Sequence, residues 1–313
     1  MLSVMKKFAF IAAAAAVTIL HAATPQSKIP ATAVAVASID LDQVINWPLV
    51  AQAGAEMLQG TLAQYQLTLQ DIQGTVAAGV TFAKENPDQN ARIDAVISLK
   101  QPNAEKLFKV MGDVLSLAHP TGLKTEKSGQ KISIVGKDFK LTLVNPKELT
   151  FQMLIGNKMK FTELKNNKNL FSNIKEKNAA IIVALDNQKL LAAFAEIIKN
   201  SRYSSSDILK LAEGKKLSEI ICNLKPDGSL EYKSKDTFAS AADAQKAIAL
   251  CKEKLAEQKA DPMLAGVAEK VQFKADGATV VTSCELNILD LTTVLTAVMQ
   301  KISQPVKNRP PVL

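Results

Sequence analysis

Short runs of alternating apolar and polar residues come in two matching sets along this chain, one in each half. An internal match of this kind is sought first, because missing one misreads the whole fold. Val34 to Asp40 is a short apolar strand pattern and leads into Gln43, Val44 and Ile45. Leu49, Val50, Ala53, Met57 and Leu58 then follow at helical spacing. Ala180 to Asp186, followed by Gln188, Leu190, Leu191, Phe194, Ile197 and Ile198, repeats that order. In both places an Asp closes the strand, and Asp42 and Asn187 stand where a helix N-cap is wanted. Asp40 and Asp186 therefore read as turn and capping residues.

A hairpin follows in each half. Thr75 to Ala83 and Ala91 to Lys100 flank the polar turn Lys84 to Asn90. Leu217 to Leu224 and Ser229 to Lys235 flank Lys225-Pro226-Asp227-Gly228, a strong turn signal. A helix comes next in each half, with Ala104, Leu107, Phe108, Met111 and Leu115 on one face in the first. In the second the face is Ala244, Ala247, Ile248, Cys251 and Leu255, opened by the capping pattern Ser240-x-x-Asp243. More strand closes each half. Lys131 to Val135 and Lys140 to Val144 flank Gly136, with a third strand over Thr150 to Ile155. Val271 to Lys274 and Thr279 to Asn287 flank Asp276-Gly277, and a last helix over Leu289 to Ile302 has no counterpart in the first half.

Strand, helix, hairpin, helix, strand is the β-α-β-β-α-β order of the ferredoxin-like motif. The pattern thus predicts an α+β fold of two tandem ferredoxin-like repeats, with antiparallel sheets, extra edge strands and a C-terminal helix. The first repeat covers 24–156, a Lys/Asn-rich linker 157–178 and the second repeat 179–302; the Pro-containing tail 303–313 is predicted to be disordered.

The first 23 residues stand apart from this pattern. Lys6 and Lys7 precede the apolar run Phe8 to Leu20, and His21-Ala22-Ala23 is a small-residue exit. That is the order of a secretory signal peptide, and the run is shorter than the roughly 20 residues a spanning helix needs. The reading is a bacterial protein, periplasmic or extracellular after cleavage near Ala23, with no transmembrane segment in the mature chain.

Charge sharpens the picture. The 313-residue chain carries +8, and +6 without Lys6 and Lys7. Nearly all of it is lysine, since the only arginines are Arg92, Arg202 and Arg309. Arginine is the usual bidentate reader of bases and phosphates, so specific nucleic-acid binding is disfavoured. From Lys124 to Lys177 there are twelve lysines against five acids. The densest stretch holds Lys158, Lys160, Lys165, Lys168, Lys175 and Lys177. It reads either as a solvated connector or as a surface for an anionic partner, such as a cell-envelope component or another exported protein.

Catalytic chemistry finds little to build on. His119 is the one histidine beyond the leader, and it stands at the end of a helical pattern where the dipole favours it. A Ser-His-Asp site or a His-rich metal centre would have to use it. No P-loop, G-x-G-x-x-G, H-E-x-x-H, G-x-S-x-G or C-x-x-C occurs. Asp40 and Asp42 form a carboxylate pair two residues apart, which alone says little about acid-base catalysis. Cys222, Cys251 and Cys284 all fall on core-facing positions of the second half, so two of them can form a disulfide or all three can be buried thiols. No cofactor is implied. The reading is a non-catalytic binding or structural protein. The alternatives are a carrier of an apolar or amphipathic ligand, and an enzyme without a recognisable motif.

Overall fold

The structure, a computed structural model, describes residues 25–53, 59–60, 62–87, 89–119, 121–199, 214–259 and 264–303. The leader 1–23, its cleavage point, the tail beyond residue 303, and Met57 and Leu58 lie outside the described residues. The chain divides after Ala184 into two compact units.

In the first unit the strands are β1 (Ala35–Asp40), β2 (Gly74–Phe82), β3 (Ala91–Leu99), β4 (Lys124–Ser128), β5 (Lys131–Val135), β6 (Phe139–Asn145) and β7 (Glu148–Ile155). Its helices are α1 (Leu41–Ile45), α2 (Pro48–Ala53) and α3 (Ala104–Ala118). β8 (Ile181–Asp186) straddles the division. The second unit holds α4 (Asn187–Lys199), β9 (Lys215–Leu224), β10 (Leu230–Phe238), α5 (Ala241–Lys259), α6 (Ala265–Ala268), β11 (Gln272–Asp276), β12 (Thr279–Leu286) and α7 (Ile288–Ser303). The strands form one antiparallel sheet of 12 in the order β11-β12-β10-β9-β8-β1-β2-β3-β7-β6-β5-β4.

The α+β class and the antiparallel pairing hold, but the strands do not take the ferredoxin-like arrangement. A split β-α-β seats another strand between the first two. Here β1 pairs directly with β2, from Ala35 opposite Val80 to Asp40 opposite Thr75. The order of elements along a chain leaves open which strands become neighbours, and that is where the expectation failed.

Local chemistry accounts for the element ends. Asp40 caps α1 by accepting from the Asp42 and Gln43 amides at 3.0 and 3.3 Å. Asp186 accepts from the Lys189 amide at 3.0 Å. The capping groups are thus the strand-closing aspartates, one residue before Leu41 and Asn187. The helix expected from Gln43 onward breaks at Asn46-Trp47, because Pro48 offers no amide and disfavours helical geometry in the residue before it. The Asp243 amide donates to Ser240 Oγ at 3.1 Å, as the capping pattern predicts.

The central strands of the first unit have two distinct faces. On one, Val76, Ile97, Leu99 and Leu149 pack against Ala104 and Leu107 of α3. Ala95, Leu141 and Phe151 continue that apolar face beneath Phe108 and Met111. Burying an aliphatic side chain of this size is worth about 1.5–3 kcal/mol, so this layer dominates the unit's stability. The opposite face mixes polar residues such as Arg92, Asp94 and Gln152 with small apolar ones such as Val36, Ala77 and Val96, and β3 is buried along its whole length. Something other than a helix covers it.

Candidate functional site

The cover consists of two segments without strand or α-helix, residues 25–34 and 157–178, each holding one short 3-10 turn (Pro25–Lys28 and Leu170–Asn173). Ile29 of the first is fully buried, and a Cβ on Gly79 of β2 would lie 2.3 Å from its Cγ2. Gly79 therefore lets the segment lie directly on the sheet. The second segment, here the strap, leaves β7 through Gly156 at φ +77°. A Cβ there would lie 2.3 Å from Asn90 Oδ1, the oxygen that accepts from the Asn157 and Lys158 amides at 3.0 and 3.1 Å.

Further along, Arg92 Nη1 donates to the Lys160 carbonyl at 3.0 Å. The Asn167 amide donates to the Ser27 carbonyl at 2.8 Å. Asn169 Nδ2 donates to the carbonyls of Gln26 and Ile29 at 2.6 and 2.7 Å, while its own Oδ1 caps the short turn Leu170–Asn173. Phe171 and Ile174 are buried. The polar stretch is thus tied down at both ends, to Asn90 and Arg92 at the first and to the 25–34 segment at the second. All six of its lysines, Lys158, Lys160, Lys165, Lys168, Lys175 and Lys177, are exposed. Lys158 pairs with Glu85 at 3.4 Å and Lys165 with Glu163 at 3.2 Å. Such exposed pairs hold their partners weakly.

Beneath the strap the polar face carries a buried ion pair. Arg92 Nε donates to Asp94 at 2.9 Å, and Gln152 Nε2 donates to Asp94 Oδ1 at 2.5 Å. Burial pushes the Asp94 carboxyl upward, and Arg92 opposes that shift. Toward the β4 edge, a groove of about 410 Å³ opens between strap and sheet. Its floor is a row of hydroxyls in register: Ser133 opposite Thr142, and Thr142 opposite Thr150. Lys140 and Gln152 form the next row. Phe161 to Leu164 of the strap supply the roof. Three ion pairs frame the groove: Lys28 with Glu148, Lys131 with Glu163 at 3.1 Å, and Lys140 with Glu126 at 3.3 Å. The bond from Lys131, then that from Lys165, holds the Glu163 carboxyl below its ordinary range.

Reading from sequence missed this groove. Its signal was present in the polar alternation Lys131-Ser133, Lys140-Thr142 and Glu148-Thr150-Gln152, on strands whose other face is apolar. A second hollow of about 560 Å³ runs along α3, with Phe108, Ile132, Ile134 and Leu143 facing Glu105, Lys106, Lys109 and Asp113.

The remaining candidates stay apart. His119 closes α3, exposed, with its ring 5.0 Å from that of Phe139. Asp42 pairs with Lys100 at 3.0 Å, and Asp40 serves its helix cap. Cys222, Cys251 and Cys284 are free, half-buried thiols. Cys222 and Cys284 both stand opposite Tyr232, one on each side of β10. Two strand spacings, about 9–10 Å, exceed the reach of a disulfide. Burial pushes the Cys222 thiol up to about 11, a direction opposite to that of a reactive cysteine. Among the described residues no three His, Cys, Asp or Glu side chains gather where a metal could sit. No helix among them is long and apolar enough to cross a membrane.

No protein-family model matches the chain, and no curated protein matches it. Among solved structures, TP0453 in crystal form III aligns at TM-score 0.48 and 8% identity, covering 88% of this chain and 99% of that one. Crystal form I of TP0453 aligns at TM-score 0.46 and 7% identity, covering 87% and 97%.

Proposed function

We propose that this is an exported, non-catalytic binding protein whose strap engages an extended polyanion of the cell envelope. The observation that carries the reading is the strap itself. It sets six exposed lysines against two acids, Glu163 and Glu176, on a segment fixed to β3 by the buried Arg92 and to the 25–34 segment by the buried Asn169. Anchoring matters because a fixed row of charges binds without first losing backbone freedom. Lysines act as point charges and need no particular anion geometry, which suits a polymer with repeated charges. Export rests on the leader pattern at 1–23.

The test is retention of the full chain on a carboxylate-bearing matrix under a salt gradient. Replacing the six strap lysines by Gln should move elution to markedly lower salt. Replacing Lys246, Lys252 and Lys259, exposed on α5, should move it much less. Equal shifts per charge removed would show a general charge effect and remove the reading.

A further inference from the structure

We infer that the groove beneath the strap is a binding site for a neutral, polyhydroxylated ligand, a saccharide unit. This stands apart from the polyanion reading, since none of the six strap lysines lines the groove. Its volume, about 410 Å³, lies within the range of about 300–1,000 Å³ typical of small-molecule sites.

Charge decides the ligand class. Each lysine of the groove stands in an ion pair: Lys28 with Glu148, Lys140 with Glu126, and Lys131 with Glu163, which it shares with Lys165 of the strap. The lining thus sets three lysines, all in ion pairs, against two glutamates, and it contains no arginine fork to grip a phosphate. What it offers instead is a dense mixture of donors and acceptors. Ammonium groups donate, carboxylates accept, and the hydroxyls of Ser133, Thr142 and Thr150 do both. Sugar hydroxyls, each donor and acceptor, match that mixture.

The polar groups are also held in place. Ser133, Glu148 and Gln152 are each more than nine-tenths buried while lining the groove. Ser133 Oγ and Thr142 Oγ1 lie 2.9 Å apart across the strands, and Gln152 is fixed by its bond to Asp94. Its Oε1 remains an acceptor for the ligand. Phe161 of the roof supplies an apolar surface for the C–H face of a pyranose ring.

The experiment is saturation-transfer NMR on the full chain with glucose and N-acetylglucosamine as probes, and sodium phosphate as competitor. At millimolar sugar, transfer is expected to at least one of the two and is not displaced by phosphate. Thr142→Val with Thr150→Val keeps the shape of both side chains and removes two hydroxyls, so affinity should fall about tenfold or more. Lys140→Met serves as the second variant if the double variant fails to fold by circular dichroism. Absence of transfer from both sugars overturns the inference. So does displacement by phosphate, or a sugar signal unchanged in the folded variant.

Discussion

Arg92 shows how much rests on one side chain in this protein. It is 7% exposed, neutralises Asp94, which has no exposure at all, and holds the strap by the Lys160 carbonyl. Replacing one member of a buried pair strands the other charge, at a cost of about 3–5 kcal/mol. Arg92→Met should therefore lower the urea midpoint sharply. Arg92→Met with Asp94→Leu should recover part of the loss, because the stranded charge is then gone. A double variant no more stable than the single would mean that Arg92 matters chiefly through the strap. Little of this was legible in the sequence. Arg92 and Asp94 alternate as residues of a solvent-facing strand surface would, and only the cover from 25–34 and 157–178 buries them. The cover itself reads as polar connector, because its anchors are asparagines and backbone groups rather than an apolar stripe.

At the scale of elements, regular structure was far easier to read than the pieces laid over it. β2, β3, α3, β9 and β10 fall where alternation and helical spacing put them, since each has an apolar face to bury. β4 was missed because Lys124-Thr-Glu-Lys-Ser128 is exposed throughout and joins the sheet only by pairing with β5. Spatial order was not legible, because the same sequence of elements serves a split β-α-β and a direct β1–β2 pair. The glycines mark where the covers touch down. Gly79→Ala would force its Cβ against Ile29, and overpacking of this kind costs about 1–3 kcal/mol. A fall in thermal midpoint with increased proteolysis near residues 25–34 is the expected result. A variant as stable and as resistant as the parent would mean that the segment does not depend on close contact there.

On the scale of the whole molecule, a stabilising layer is distinct from a working one. In the first unit α3 and the apolar sheet face carry the stability, and the polar face with its strap carries exposed charge and a groove. His119, the aspartates 40 and 42 and the three cysteines each have a local structural setting, and none stands with another as an assembled catalytic set. The central claim, that the strap is the surface a polyanion meets, is tested most directly by hydrogen exchange of the full chain with and without poly-L-glutamate. The account predicts added protection concentrated at residues 157–178 and lost at high salt, where charge contacts are screened beyond roughly 3 Å at 1 M. Protection elsewhere with the strap unchanged, or none at low salt, would contradict it.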